Sequence, residues 1–194
     1  MLRLFLCLIL CCNPLQSEHP ASFYIKVEAN TEYHSRYIFS RTDIIPEDKL
    51  FPEGQTSAPI ECLVEELKAA GIYDHVEAEL QFTDEEKVRI LLLDTALRQD
   101  IEEVTISRVQ VVGFPEIDTS IFQKVLLKKG VKPNLPFFRF SFNQLEEKVR
   151  RALIAAYPRN KLKEDEDRSY LLSFRPDGDK NVMLVVTSGY LGCK

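Results

Sequence analysis

The chain has 194 residues, of which 45% are hydrophobic and 28% charged, a balance typical of a globular protein with one or two domains. Its formal net charge is −5. Binding along a nucleic acid requires clustered Lys and Arg to neutralise phosphates, so the overall charge argues against a nucleic-acid partner.

The N-terminal segment has the composition of a secretory signal peptide. One Arg precedes residues 4–12, which are almost entirely apolar, and polar residues follow. This run is shorter than the roughly 20 residues that a membrane-spanning helix needs. We therefore predict that residues 1–22 are a signal peptide and that the mature chain is exported and soluble. A buried N-terminal helix, a short membrane anchor, and lipidation at Cys11 or Cys12 are the alternatives.

Loss of that segment would leave two cysteines, Cys62 and Cys193, which are too few for a disulfide framework. Cys62 lies among apolar residues with helical spacing, which favours a buried, small hydrophobic side chain. A disulfide bond between the two cysteines is the alternative.

The first half begins with a strand and continues to a helix. Residues 23–29 alternate apolar and polar side chains, the period of a half-buried strand, and residues 36–39 are predicted as a second extended piece. A turn-rich stretch over residues 43–57 follows. Residues 60–70 then place apolar side chains on one helix face, and Gly71 is predicted to end that helix.

Two strands complete the first half. Residues 76–82 alternate, a charged turn follows, and residues 88–93 are richly apolar, which predicts an antiparallel hairpin. Residues 96–103 are the expected joint between the halves, so we place a first domain at residues 23–97 and a second at 98–194.

The second half states the same plan again. Residues 104–112 predict a strand with one irregularity, and Asp118 or Thr119 can cap a short helix over residues 120–127. Residues 132–140 are predicted as a loop.

A longer helix capped by Ser141 or Asn143 follows that loop and ends at Pro158. Residues 170–175 and 181–187 then form a hairpin across Asp177-Gly178, the strongest turn signal in the chain. Each half therefore predicts a three-stranded mixed sheet with helices on one face, in the order β-α-α-β-β, which is an α+β fold.

This plan resembles the POTRA (polypeptide-transport-associated) domain family. The stretches that carry the resemblance are LVEELKAAGIYDHVEAELQFTDEEKVRILLLD in the first half, and VQVVGFPEIDTSIFQKVLLKKGVKPN and FNQLEEKVRRALIAAYP in the second. Residues 46–59 stand where the family has its first helix. The barrel that follows such domains in the family has no counterpart in these residues, so we expect a free-standing tandem pair.

The resemblance implies a binding role. In this family the strand after the helix-closing Gly lies at the sheet edge, where its backbone groups can pair with an extended polypeptide. The alternative is that the edges are covered by the N-terminal segment or by the other half. The residues implied for partner binding are Val76, Ala78, Leu80 and Phe82 in the first half, and Tyr170, Leu172 and Phe174 in the second.

Other patterns carry weaker signals. Phe137, Phe138 and Phe140 belong to an aromatic cluster that is either an exposed apolar contact patch or a core segment before the long helix. The three histidines and Cys62 have no spacing typical of a metal site, and no nucleophile or phosphate-loop motif is present. We therefore expect no enzyme activity, no metal and no cofactor.

The resulting hypothesis is an exported protein-binding scaffold, periplasmic or associated with the outer membrane, that adds extended polypeptides to its sheet edges during outer-membrane protein assembly or secretion. Its partners would be other proteins, with membrane proximity only through them. A cystatin-like secreted inhibitor acting through the Asp177-Gly178 hairpin loop is one alternative. A small exported enzyme with a pocket near Asp74, His75 and residues 96–103 is another.

Overall fold

A computed structural model describes residues 22–30, 35–41, 44–83, 87–157 and 170–187. Their strands form two mixed four-stranded sheets, one from each half of the chain. The predicted α+β class is therefore confirmed, although each sheet has four strands rather than three. No helix among these residues is both long and apolar enough to cross a membrane.

The first half consists of β1 (Ser22–Ala29), α1 (Ser35–Phe39), β2 (Phe51–Pro52), α2 (Ser57–Lys68), β3 (Tyr73–Phe82) and β4 (Val88–Leu97). The sheet order is β2-β1-β4-β3. Strands β1 and β4 run parallel, whereas β2 and β3 are antiparallel to their neighbours. The fourth strand is the two-residue β2, which lies inside the predicted turn-rich stretch and is too short to produce an alternating pattern.

The second half repeats this topology with β5 (Thr105–Val112), α3 (Thr119–Lys128), β6 (Leu135–Pro136), α4 (Phe142–Ala156), β7 (Leu171–Pro176) and β8 (Asn181–Thr187). Its order is β6-β5-β8-β7, with β5 and β8 parallel. The irregularity predicted in β5 is confirmed as a register shift between Ile106 and Arg108.

Local sequence explains where the helices of the second half begin. The Asp118 carboxylate accepts hydrogen bonds from the backbone N–H groups of Ser120 and Ile121, which fixes the start of α3. Ser141 and Gln144 form a reciprocal capping box at the start of α4. Both caps were among the predicted candidates.

Two predictions of extended or irregular chain were wrong. Residues 36–39 lie in α1, not in a strand. Tyr37 and Ile38 are consecutive and both buried, which one turn of helix permits but a strand with a single covered face does not. The predicted loop over 132–140 contains β6 and a 3₁₀ turn, Phe137–Arg139.

The favoured interpretation of Cys62, a buried and small hydrophobic side chain, was also wrong, whereas a disulfide bond was the alternative. Its side chain is half-buried rather than buried, and its sulfur is disulfide-bonded. Cys193, Cys11, Cys12 and residues 1–21 of the predicted signal peptide lie outside the described residues. Ser22, the last residue of that predicted segment, is the first residue of β1.

The two halves share one continuous core. Buried apolar side chains from both halves belong to the same cluster, including Ile101 and Val104 in the joint. The joint itself is compact, with a 3₁₀ turn at Ile101–Glu103. The predicted domain limits at residues 23–97 and 98–194 stay a prediction.

Candidate functional site

The longest strand at the edge of a sheet is β3. Its ten residues pair with β4 on one side, and among the described residues no strand lies on the other side. The opposite edge of that sheet is the two-residue β2. A long outer strand can accept an additional strand through its backbone groups.

The hydrogen bonds of β4 show which residues of β3 face outward. The carbonyls of Lys87 and Leu93 accept bonds from β1, at 2.8 and 3.2 Å from the nitrogens of Tyr24 and Asn30. Backbone groups of successive residues point to opposite sides of a strand, so odd-numbered residues of β4 bond to β1 and even-numbered ones to β3. In the observed register each even-numbered residue of β4 pairs with an odd-numbered residue of β3, so the odd-numbered residues of β3 are the ones that bond to β4. The residues whose N–H and C=O groups point away from the sheet are Val76, Ala78, Leu80 and Phe82.

The side chains of these four residues form a gradient from core to solvent. Val76 is buried, Ala78 and Leu80 pack partly against the core, and Phe82 is 70% exposed. Helix α2 packs against β3, and its Ile60 and Val64 are partly buried in the same core. An incoming strand would therefore meet apolar side chains beside the backbone edge.

Phe82 is exposed but held in place. The guanidinium of buried Arg89, on β4, lies 4.4 Å from the Phe82 ring centroid and 5.2 Å from that of Phe23. An arginine between two aromatic rings is stabilised by cation–π attraction, which is stronger away from water. Phe82 thus presents a fixed apolar surface at the end of β3.

The second outer strand, β7, follows the same alternation. The carbonyl of Asn181 on β8 accepts a bond from the Asp177 N–H on the β7 side, so the odd-numbered residues of β8 serve β7. In the register, Ser173 and Arg175 pair with odd-numbered residues of β8. The backbone groups of Leu172 and Phe174 therefore point away from the sheet.

The first half closes part of the β7 edge. The N–H of Phe174 donates a long hydrogen bond, 3.5 Å, to the hydroxyl of Tyr37 from α1. Pro176 has no N–H and contacts Gly71 so closely that a Cβ at Gly71 would lie 2.6 Å from the proline ring. Gly71 also has a φ of 68°, which favours glycine. Leu172 and Phe174 are buried, so β7 is not an open edge over this length.

Polar contacts reinforce the contact between the halves. Glu66 on α2 is 2% exposed and lies 2.7 Å from the guanidinium of Arg175 on β7. Arg98 donates to the carbonyl oxygens of Gly71, at 3.3 Å, and Asp179, at 2.7 Å. Burial raises the pKa of the Tyr37 hydroxyl, which therefore stays protonated and can also donate.

The remaining predicted residues lie within the packed molecule. Phe137 is buried, with its ring centroid 5.1 Å from that of Phe174 and 5.3 Å from that of Phe138. Phe138 and Phe140 are half-buried, so the three do not form an exposed apolar patch. The hydroxyl of half-buried Tyr170 donates to the Glu146 carbonyl at 3.3 Å.

The hairpin loop that an inhibitor would need and the joint where an enzyme would need a pocket both make hydrogen bonds within the protein. In the hairpin loop, Asp177 accepts bonds from Ser107 and Arg108, and the Asp179 carbonyl bonds to Arg98, so the loop lies against the protein. In the joint, Asp74 accepts the Gln99 N–H at 3.1 Å. Within the part of the chain that the structure describes, no cluster of three or more His, Cys, Asp or Glu side chains could hold a metal.

Two features of this region were not predicted: Tyr37 against β7 and Arg89 between two rings. Both depend on contacts between residues far apart in sequence, Tyr37 with Phe174 and Arg89 with Phe23. The disulfide at Cys62 was only an alternative, and its one signal was the even count of cysteines after signal removal.

No protein-family model matches the chain, and no curated protein matches its sequence. Similar chains occur among solved structures, at low TM-scores. A POTRA3–5 fragment of BamA from Haemophilus influenzae is 13% identical at a TM-score of 0.34, over 85% of this chain and 59% of that one. The N-terminal domain of Omp85 from Thermosynechococcus elongatus is 14% identical at 0.30, over 87% and 62%. POTRA1–2 of Omp85 from Anabaena is 11% identical at 0.29, over 87% and 95%. The chain thus spans less than two thirds of the first two structures.

Proposed function

We propose that this protein is an exported binding scaffold that captures extended polypeptide segments by adding them as a strand to the outer edge of β3. The observation that carries the proposal is the outward direction of the backbone groups of Ala78 and Leu80, neither of which is buried, on a ten-residue outer strand. Each of these residues offers one donor and one acceptor to a partner strand.

The energetics favour weak, reversible capture. A backbone hydrogen bond contributes about 1 kcal/mol net, whereas ordering one residue of an incoming segment costs about 1–2 kcal/mol. Backbone pairing alone therefore roughly cancels the ordering cost, and apolar contacts with Leu80 and Phe82 decide the affinity. We expect dissociation constants roughly micromolar or weaker, with little sequence preference beyond apolar residues at alternate positions.

The disulfide at Cys62 and the family resemblance of the sequence support the proposed cellular setting. Disulfides persist in oxidising compartments, so the bonded Cys62 supports export. The resemblance of the sequence to POTRA domains favours a periplasmic or outer-membrane-associated scaffold that acts in outer-membrane protein assembly or secretion. No enzyme activity is part of this proposal.

The geometry weighs against the two alternatives. A cystatin-like inhibitor needs a projecting hairpin loop, but the loop after β7 is held by Arg98 and Arg108. Inhibition of a protease by the isolated protein would reverse that judgement. A small enzyme at the joint needs a pocket there, but Asp74 and Ile101 are used in packing and hydrogen bonding.

The proposal is tested by placing a proline on the outward edge. Ala78→Pro removes an N–H that does not bond to β4, a position where an edge strand tolerates proline. We expect a stable fold with binding of an extended apolar peptide reduced at least about ten-fold, measured by fluorescence anisotropy. Glu79→Ala is the matched control, because its exposed side chain belongs to the other alternating set. Unchanged peptide binding by a folded Ala78→Pro protein would place the binding elsewhere.

A further inference from the structure

Positive charge is concentrated in one part of this acidic chain. Between residues 124 and 151 there are eight Lys and Arg against two Glu, a formal net charge of +6 in a protein whose total is −5. These residues belong to α3, α4 and the segment that joins them. The charge is therefore local to the helical side of the second half.

On α3, the exposed side combines basic and aliphatic side chains. Ile121, Lys124, Leu127 and Lys128 are all exposed, whereas Phe122 and Leu126 are buried. At 100° per residue these four fall within one arc of the helix, opposite the buried pair. Ile121 and Leu127 are 42% and 48% exposed, which is high for large aliphatic residues.

The exposed side of α4 has the same composition. Arg150, Arg151 and Ile154 are exposed and lie within one turn of each other, and Ile154 is 50% exposed. Both arginines bond to Glu147, at 2.8 and 2.5 Å, and these bonds lower the pKa of that carboxyl to about 2. Glu147 therefore stays charged and holds the two arginines together.

An open cleft of about 630 Å³ lies between the end of α3 and the start of α4. Lys129, Arg139 and Arg151 contribute to its walls, together with Lys148 and Phe140. The ammonium of Lys148 lies 4.2 Å from the Phe140 ring centroid and donates to the Lys129 carbonyl at 2.8 Å. Basic side chains therefore predominate in the lining of the cleft, which also contains the Phe140 ring and the Glu147 carboxylate.

We propose that this basic face, formed by the exposed sides of α3 and α4 and the cleft between them, docks on the surface of an anionic phospholipid bilayer. Lys and Arg near such a surface attract its phosphates, and exposed aliphatic residues between them insert at the headgroup boundary. An acidic protein would satisfy the charges but leave Ile121, Leu127 and Ile154 without a matching apolar phase. The basic face belongs to the second half, whereas the outer edge of β3 belongs to the first, so one molecule can hold a polypeptide while it lies on a membrane.

Co-sedimentation of the whole exported chain with vesicles tests this proposal. The probes are vesicles of phosphatidylcholine with 30% phosphatidylglycerol and vesicles of phosphatidylcholine alone, at low and at physiological salt. We expect binding to the anionic vesicles only, weakening as salt rises. Lys124→Glu with Arg139→Glu should reduce that binding more than ten-fold, since each basic residue near the surface is worth roughly a factor of five.

Two controls separate the specific face from net charge. Lys68→Glu with Lys87→Glu changes the total charge equally but lies in the first half, and should leave vesicle binding within about two-fold of the parent. Ile121→Ser with Leu127→Ser keeps every charge and should weaken the binding that persists at physiological salt. Equal loss in both charge-reversal pairs, or no binding to anionic vesicles at low salt, overturns the proposal. Binding to poly-glutamate without binding to vesicles would assign the face to an acidic protein instead. None of these variants alters β3, so peptide capture is read separately.

Discussion

Replacement of Arg175 tests whether the two halves are locked together. Glu66 and Arg175 lie 2.7 Å apart, with side chains 2% and 18% exposed. Removal of the arginine therefore leaves the Glu66 carboxylate buried without its charged partner. Breaking one partner of a buried pair costs about 3–5 kcal/mol. Because Arg175 is partly exposed, we expect the lower end for Arg175→Met, about 3 kcal/mol. The second arm replaces both residues, as Glu66→Leu with Arg175→Met, and should be close to neutral.

Urea unfolding of the parent, both single variants and the double variant supplies the free energies of unfolding for a double-mutant cycle. Because the double variant is expected to be close to neutral, the coupling should be at least about 3 kcal/mol, at an unchanged slope of the free energy of unfolding against urea. Amide exchange of Phe174 should accelerate in Arg175→Met, because the same contact covers its N–H. A single-variant cost below about 1 kcal/mol with negligible coupling would show that the pair is solvated and that β7 is open.

Four smaller perturbations follow from the same structure. Tyr37→Phe removes the acceptor of the Phe174 N–H and should cost about 1 kcal/mol in urea unfolding while exposing that amide to exchange; an unchanged exchange rate would mean that the 3.5 Å contact is not a bond in solution. Ser141→Ala removes the serine hydroxyl that accepts the Gln144 N–H in the capping box of α4, and should lower the free energy of unfolding by about 1 kcal/mol. Ser141→Asp should largely restore stability. Hydrogen bonds from Ser120 lower the pKa of the Asp118 carboxyl below its ordinary value of 3.8, so the ionised cap stabilises the fold above pH 3.8, and this stabilisation is lost as the pH falls through the lower pKa of the folded state. The difference in melting temperature between the parent and Asp118→Ala should therefore shrink in acid. A difference that does not change with pH would refute a cap that depends on the charge. Phe82→Ala removes an exposed side chain and should weaken peptide binding several-fold with little change in melting temperature; a large loss of stability would instead make Phe82 part of the core.

Alternation and helical spacing were enough to predict most of the regular structure. Strands β1, β3, β4 and β5, both long helices and the final hairpin lie where the patterns placed them, to within a few residues. Each of these elements packs one face on a single core, so its apolar residues recur in the sequence with the period of the helix or strand. The sequence identified Val76, Ala78, Leu80 and Phe82 as one side-chain face of β3, and only the strand pairing shows that their backbone groups point outward.

The short elements could not be predicted in the same way. β2 and β6 have two residues each, which is a single strand period, and α1 has five, which is little more than one helical turn; a periodic pattern cannot be recognised over so few residues. Their positions depend on the neighbouring strands and on the buried side chains of Tyr37 and Ile38. The prediction that α1 was extended failed for this reason.

The sequence could not show which of the two predicted edge strands, β3 or β7, is open to solvent. Both edges have the same alternation, yet β7 is covered by Tyr37, Gly71 and Glu66, which come from the helices and a turn of the first half. A sequence pattern reports which face of a strand is apolar but not which segment from elsewhere lies against its edge. The choice between β3 and β7 therefore depended on the tertiary structure.

Backbone amide exchange of Ala78 and Leu80, with and without an extended apolar peptide, is the direct test of strand addition at β3. We expect fast exchange of both amides in the free protein, because β4 does not use them, and marked slowing when peptide is added. The amides of Glu77 and Glu79, which bond to β4, should be protected in both conditions. Protection of the Ala78 and Leu80 amides in the free protein, or equally fast exchange with saturating peptide, would contradict strand addition at β3.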